Sequence, residues 1–194
     1  MPLNLPNILT LLRIALIPVF VLVFYADMHW SNLASTVIFA LAAFTDWADG
    51  YLARKLGQVS ALGAFLDPVA DKLMVAVALV LLVQADPSPW LAVPAAVIIG
   101  REITISALRE WMAELGARAR VAVSVFGKVK TTAQMAALLL LLYRDPIGSI
   151  PVRDLGYGLL YLAVALTIWS MVDYLRAAWP ALSGREDKKS LEVG

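Results

Sequence analysis

Four aspartates occupy two regularly spaced segments of an otherwise apolar chain. Asp46 and Asp49 are three residues apart, and Asp67 and Asp71 are four apart. Residues at these separations share one face of a helix, so each pair should project from one side. A charged side chain deep in a bilayer costs at least ~2.5–3.5 kcal/mol, which calls for a compensating role. Clustered carboxylates suit Mg²⁺ or Mn²⁺, and a pair of such ions is the usual clamp for phosphoryl displacement. The four acids therefore predict a two-metal site for phosphate chemistry.

The residues around these acids favour the same chemistry. Gly50 and Arg54 fall on the helical stripe of the first acid pair, and Gly63 begins the stripe of the second. The connection at 55–60 is short, so the two helices should be antiparallel neighbours whose stripes face each other. Glycine leaves room for a ligand or a facing helix to approach closely. Arg54 adds a forked donor for phosphate oxygens.

A purely structural explanation of the acids is ion pairing within the helix bundle. Arg13, Arg54 and Lys72 are the cations within reach for such pairs. One pair of this kind would be ordinary. Four acids at helical spacing, aligned with glycines, are less well explained by pairing alone, so metal binding is the favoured interpretation.

The composition indicates a membrane protein. The chain has 194 residues, of which 61% are hydrophobic and 16% charged, and its mean hydropathy is +0.77. A soluble domain is about 45–50% apolar and about 25% charged. The absence of cysteine excludes a disulfide or a thiolate metal site, and a net charge of +1 gives no reason to expect a nucleic-acid partner. The first residues also lack the features of a removable signal peptide.

Six apolar stretches are long enough to cross a bilayer, which takes about 20 residues. The predicted fold class is therefore all-α, a polytopic membrane domain over residues 1–182 followed by a charged, mobile tail at 183–194. The predicted spans are 8–26, 33–54, 63–84, 90–112, 121–143 and 156–178.

The distribution of Lys and Arg predicts the orientation. An even number of spans puts both termini on one side, together with eight cations: Arg54, Lys55, Arg118, Arg120, Arg176, Arg185, Lys188 and Lys189. The opposite loops carry Arg144 and Arg153. The positive-inside rule then places both termini in the cytoplasm. The four aspartates lie near the cytoplasmic loop at 55–60, so they can line a hydrated pocket that faces the cytoplasm.

The spacing of the acidic segment resembles a known family. Residues 46–71 read Asp-x2-Asp-Gly-x2-Ala-Arg-x8-Gly-x3-Asp-x3-Asp, which matches every fixed position of the CDP-alcohol phosphotransferase signature. Four further segments look like the members of that family that act on glycerol 3-phosphate: 7–13, 100–103, 106–111 and 127–134.

This resemblance implies six transmembrane helices, a homodimer in the bacterial inner membrane, and two bound Mg²⁺ or Mn²⁺ ions. It implies that Asp46, Asp49, Asp67 and Asp71 ligate the metals and that Asp71 is also the general base. It further implies a set of residues that bind CDP-diacylglycerol: Asn7, Thr10, Gly50, Arg54 and Ser60. The implied reaction joins CDP-diacylglycerol to glycerol 3-phosphate, giving phosphatidylglycerol phosphate and CMP, a step toward phosphatidylglycerol and cardiolipin.

A basic cluster suggests where the acceptor alcohol binds. Arg101, Arg109, Lys128 and Lys130 fall near the cytoplasmic ends of the fourth and fifth spans. Each alone fits a snorkelling anchor, but together they suggest an anion pocket for a phosphorylated acceptor. Inositol phosphate fits these charges as well as glycerol 3-phosphate does, whereas free serine fits less well. Glu102 follows Arg101 and either neutralises it or orients it.

Two alternatives outside the family remain open at this stage. A membrane prenyltransferase also binds a diphosphate through aspartates and Mg²⁺, but its motifs lack the glycine and arginine positions seen here. A divalent-cation transporter would need polar residues to continue across the membrane. The unbroken apolar run at 75–83 does not favour such a path.

Overall fold

A computed structural model describes residues 5–26, 28–56, 61–114 and 125–182. Within these ranges the fold consists of six α-helices joined by short connections. The helices are α1 (Leu5–Tyr25), α2 (Ser31–Leu56), α3 (Ala61–Ala85), α4 (Pro89–Glu114), α5 (Val125–Tyr143) and α6 (Val152–Leu182).

The predicted all-α class is confirmed, and each predicted apolar stretch corresponds to one helix. Among the described residues, three helical segments are long and apolar enough to cross a membrane: Asn7–Tyr25, Pro89–Glu114 and Val152–Arg176. A shorter apolar segment covers Val129–Tyr143. The acids and Lys72 interrupt the apolar runs of α2 and α3, so the count of six spans stays a prediction. The tail at 183–194 lies outside the described residues.

The helices pack around one apolar core. Helix α1 contacts α2 and α3, while α6 contacts α4 and α5. Phe20, Phe39, Leu79, Leu138 and Leu160 are all buried in the central cluster. Close interdigitation of such side chains fixes how the helices sit against one another.

Helices α5 and α6 are closely packed at Gly156. A Cβ atom at this position would lie 2.9 Å from Cγ of Leu141. A side chain is therefore sterically excluded at Gly156 unless its neighbours move. Gly158, two residues further along, has no atom within 4 Å of such a Cβ.

The outer surface of the bundle is apolar, as a lipid environment requires. Leu22 is 73% exposed, Trp90 72% and Trp169 66%. Exposed apolar surface on this scale is unusual for a soluble protein and typical of a membrane-facing one.

The order of the helices defines two ends of the bundle. The acidic end comprises the beginnings of α1, α3 and α5 and the ends of α2, α4 and α6. The far end comprises the connection from α1 to α2 and the connections at 86–88 and 144–151, which join α3 to α4 and α5 to α6.

Candidate active site

Arg13 joins the two acidic segments at the centre of the acidic end. Its Nη1 lies 3.1 Å from Oδ1 of Asp46 on α2 and also contacts Oδ1 of Asp71 on α3. The Arg13 side chain is 1% exposed, whereas those of Asp46 and Asp71 are 43% and 38% exposed. A buried guanidinium therefore holds two accessible carboxylates from different helices beside one nitrogen.

Helix α1 also reaches the third described acid. The hydroxyl of Thr10 donates a hydrogen bond to Oδ1 of Asp67 on α3. Thr10 and Asn7 are both buried. Because Asn7, Thr10 and Arg13 follow one another at helical spacing, a single face of α1 carries all three toward the acids.

Several residues predicted for this site have side chains outside the described part of the structure. Asp49, Gly50 and Arg54 lie on α2, and Lys128 lies on α5, but the surroundings of these four residues are not described. Ser60 lies outside the described residues altogether. The structure thus brings Asp46, Asp67 and Asp71 to one end of the bundle, and the position of the Asp49 carboxylate stays a prediction.

The donor chemistry of this site fits a hard divalent cation. Carboxylate oxygens are the ligands that Mg²⁺ and Mn²⁺ prefer. Beside Arg13, Asp46 and Asp71 is a cavity of about 20 Å³, room for a water-sized group. Within the described residues, however, no three His, Cys, Asp or Glu side chains converge closely enough to hold an ion. The contacts of Asp46 and Asp71 with Arg13 supply part of the positive charge that these acids need.

Glu102 organises a second polar cluster next to the acids. Its Oε1 accepts hydrogen bonds from Nη1 of Arg101 at 2.9 Å and from Nζ of Lys130 at 3.0 Å. The side chains of Arg101 and Lys130 are 13% and 7% exposed. One carboxylate on α4 therefore joins a cation of its own helix to a cation of α5.

Two serines tie this basic cluster to the neighbouring helices. The Nη2 of Arg101 donates to Oγ of Ser170 on α6 at 3.1 Å. On the other side, Lys72 donates to Oγ of Ser106, and that hydroxyl donates to the carbonyl of Glu102 at 2.6 Å. Since Lys72 follows Asp71 in the chain, the basic cluster is connected to the acidic site.

Arg109 makes no hydrogen bond to this network within the described part of the chain. Its guanidinium carbon is 5.4 Å from the centre of the Tyr174 ring on α6, a cation–π geometry. Of the four cations predicted to bind the acceptor, Arg101 and Lys130 are joined through Glu102, and Arg109 lies further along α4.

Sequence reasoning missed part of this arrangement. It treated Arg13 and Lys72 as possible counter-ions of the acids. Arg13 does pair with two of them, but Lys72 contacts Ser106 instead. Ser106 and Ser170 carry no signal in the sequence, since serines within helices more often bond to their own backbone.

Carboxylates suited to a divalent ion lie beside buried cations suited to a phosphate, at one end of an apolar helical bundle. This combination defines a membrane enzyme of phosphate-transfer chemistry. Residues 3–169 match the CDP-alcohol phosphatidyltransferase family, and the chain belongs to that family. The resemblance of the acidic motif is thereby confirmed.

Relatives match nearly the whole chain. A protein of Pseudomonas fluorescens named CDP-diacylglycerol–glycerol-3-phosphate 3-phosphatidyltransferase is 57% identical over 192 residues, covering 97% of this chain and 98% of that protein. Proteins of the same name from Shigella flexneri serotype 5b and Escherichia coli strain K12 are each 57% identical over 178 residues. These matches cover 92% of this chain and 96% of each relative.

Proposed function

We propose that this protein transfers the phosphatidyl group of CDP-diacylglycerol to glycerol 3-phosphate, forming phosphatidylglycerol phosphate and CMP. The observation that carries the proposal is the 57% identity, over nearly the full length, to relatives named for these two substrates. The family assignment favours this chemistry over prenyl transfer and over cation transport. Other acceptors, namely inositol phosphate and serine, are the alternatives within the family.

The reaction is a displacement at phosphorus. A hydroxyl oxygen of glycerol 3-phosphate bonds to the β-phosphorus of CDP-diacylglycerol, and the bond from that phosphorus to the CMP oxygen breaks. Because an alcohol is a poor nucleophile at neutral pH, Asp71 accepts its proton as the general base. Arg13 contacts Asp71 and Asp46, so it orients both carboxylates.

The four aspartates are proposed to hold two Mg²⁺ or Mn²⁺ ions: Asp46, Asp49, Asp67 and Asp71. When bound, such ions supply Lewis-acid stabilisation of charge on the phosphoryl oxygens. Gly50, Arg54 and Ser60 are proposed to contact the donor, together with Asn7 and Thr10.

The acceptor phosphate is proposed to bind at the basic cluster. Arg101 and Lys130 are buried cations joined by Glu102, and a charge-assisted contact to phosphate is strong where water is excluded. Arg109 and Lys128 complete the proposed set. Free serine carries no phosphate for this cluster, so a phosphorylated alcohol is the better acceptor.

An acceptor panel tests the proposal directly. Purified protein would receive CDP-diacylglycerol and Mg²⁺ with glycerol 3-phosphate, inositol phosphate or serine in turn, and CMP release would be measured. We expect glycerol 3-phosphate to give the highest kcat/KM. Faster CMP release with inositol phosphate or serine would refute the choice of acceptor while leaving the transfer chemistry intact.

The role of Asp71 has a separate test. Asp71→Asn should abolish turnover but retain measurable binding of CDP-diacylglycerol, because the donor has other contacts. The control is Asp173→Asn, which changes an exposed aspartate on α6 and should retain normal turnover. Near-normal activity of Asp71→Asn would remove this residue from the base role.

We also propose six membrane spans, cytoplasmic termini, an active site facing the cytoplasm of a bacterial inner membrane, and a homodimer. Support comes from the eight cations on the side of the termini against two on the other. The chain has no cysteine, so single cysteines at Ser190 and Ser149 can be labelled in intact cells with an impermeant reagent. Labelling of Ser190→Cys but not Ser149→Cys would overturn the orientation. A monomeric mass in mild detergent would contradict the homodimer.

A further inference from the structure

A second cavity lies at the far end of the bundle, away from the acids and the basic cluster. Its volume is about 390 Å³. Along α3, Asp86 is separated from Asp71 by roughly 20 Å at ~1.5 Å per helical residue. The lining residues are Leu82, Ala85, Asp86, Leu91, Leu141, Arg144, Arg153 and Tyr157. This far-end cavity is therefore distinct from the proposed active site.

The lining of the far-end cavity is cationic overall. It contains two guanidinium groups and one carboxylate, which gives a formal charge of +1. Asp86 accepts hydrogen bonds from Nη2 of Arg153 at 2.5 Å and from the hydroxyl of Tyr157 at 2.6 Å. Arg153 thus offsets the charge of Asp86. The second guanidinium of the lining, that of Arg144, is not hydrogen-bonded to Asp86.

Arg144 is held in an unusual backbone conformation. Its φ is 60°, in the left-handed region that favours glycine, and its amide donates to the carbonyl of Leu140 at 3.2 Å. Glycine is the usual residue at this position after a helix. Arginine has a backbone cost in this conformation that glycine would not have, which directs attention to its side chain.

The guanidinium of Arg144 is positioned but not fully satisfied. Its carbon lies 5.0 Å from the centre of the Phe24 ring. Its Nη2 is enclosed and has no hydrogen-bond partner within the described part of the protein. The nearby Asp145 is exposed, does not line the cavity, and lies 3.4 Å from Nδ2 of Asn32. An enclosed donor that lines a cavity is available to an acceptor bound inside that cavity.

The surroundings of Arg144 match one kind of ligand. Leu82, Leu91 and Leu141 form an apolar wall beside it. The far end is also where the apolar helices give way to the polar connections at 86–88 and 144–151, the depth at which lipid headgroups meet a membrane protein. A single negative charge next to apolar carbons is the chemistry of a phospholipid phosphodiester with its glycerol.

We propose that the far-end cavity binds a phospholipid of the leaflet opposite the active site, with Arg144 donating to its phosphodiester. The leucines contact the glycerol and the first acyl carbons. This site is independent of the transfer reaction, so its failure and that of the proposed activity are separable.

Arg144→Gly is the informative variant, because glycine removes the guanidinium and suits the left-handed backbone. Arg144→Lys keeps a positive charge, and Arg176→Gln is the control for an exposed arginine outside the cavity. Ala85→Phe occupies the cavity without changing its charge. Each full-length protein would be delipidated in detergent. Its Tm would then be followed as short-chain phosphatidylcholine, which carries no CMP leaving group, is added.

We expect saturable stabilisation of the wild type and of Arg176→Gln. Arg144→Gly should bind at least about tenfold more weakly, the usual scale for losing a charge-assisted bond, while its unliganded Tm stays equal or higher. Arg144→Lys should be intermediate, and Ala85→Phe should also lose the response. An unchanged apparent Kd in both Arg144→Gly and Ala85→Phe would overturn the site. If inorganic phosphate stabilised the wild type as strongly as the lipid, and Arg144→Gly abolished that effect, the cavity would bind free phosphate and the lipid assignment would be wrong.

Discussion

Replacing Glu102 by glutamine tests whether this carboxylate positions the cations proposed to bind the acceptor. Glutamine keeps the shape and one acceptor oxygen but removes the negative charge. In the wild type, Oε1 lies 2.9 Å from Arg101 and 3.0 Å from Lys130, and all three side chains are largely buried. Two hydrogen bonds between opposite charges would each become a hydrogen bond from a cation to a neutral amide oxygen.

The expected magnitude follows from these two bonds. Hydrogen bonds to charged groups contribute about 1.5–3 kcal/mol, and glutamine keeps the charge on the donor alone, so each bond should lose about 1 kcal/mol. Weakening both costs about 2 kcal/mol, which corresponds to roughly 30-fold in an equilibrium constant. The variant also leaves two buried cations without their shared counter-ion, so we expect Lys130 to move away from Arg101. The KM for glycerol 3-phosphate should rise about 10- to 30-fold, whereas the KM for CDP-diacylglycerol should stay the same.

The opposite outcome has a clear physical meaning. If Glu102 merely cancels positive charge, removing it would strengthen the field acting on the acceptor phosphate, and the KM for glycerol 3-phosphate would fall. A lower or unchanged KM would therefore refute the positioning role. Steady-state CMP release at varied acceptor and donor concentrations separates the two KM values. Glu110→Gln, an exposed change on the same helix, is the matched control and should alter neither KM.

Three further outcomes are expected. Gly156→Ala should lower the Tm, because overpacking against Leu141 costs about 1–3 kcal/mol of stability. Gly158→Ala is the control and should leave the Tm equal or higher. Equal effects of the two substitutions would contradict the close packing of α5 and α6. The hydrogen bond from Tyr157, with help from the neighbouring arginine, lowers the pKa of Asp86 below its usual 3.8. The ionised Asp86 therefore contributes its full stability above about pH 4, and this contribution is lost as the pH falls through the lowered pKa. Tyr157→Phe should reduce this acid-dependent loss of Tm. Identical pH profiles of Tm for the wild type and the variant would contradict a stabilising hydrogen bond from Tyr157. Chelation of divalent ions should abolish CMP release, and added Mg²⁺ or Mn²⁺ should restore it; full activity in verified metal-free protein would exclude the proposed two-metal site.

The helical architecture was accessible from the sequence because it depends on local properties. Apolar stretches of membrane-spanning length, separated by polar or proline-containing turns, predict each helix from neighbouring residues alone. The ends were less exact. Helix α6 begins at Val152 instead of 156.

The acidic site was also largely accessible, since its residues lie on two consecutive helices. The spacing of Asp46, Asp67 and Asp71 places them at one end of the bundle, where the structure has them. Arg13 was predicted as one possible counter-ion among three. That its guanidinium joins Asp46 to Asp71 was not accessible, because Asp71 is 58 residues away and the contact depends on how α1 packs against α3.

The sequence by itself determined the membrane-protein composition, the helices, the acidic motif and the family. All of these follow from residue types at short, regular spacing. The tertiary structure decided which charges meet. Glu102 joins Arg101 to Lys130 across two helices. Arg144 has a left-handed backbone conformation and lines the far-end cavity. Contacts of this kind depend on helix rotation and packing, which no local pattern specifies.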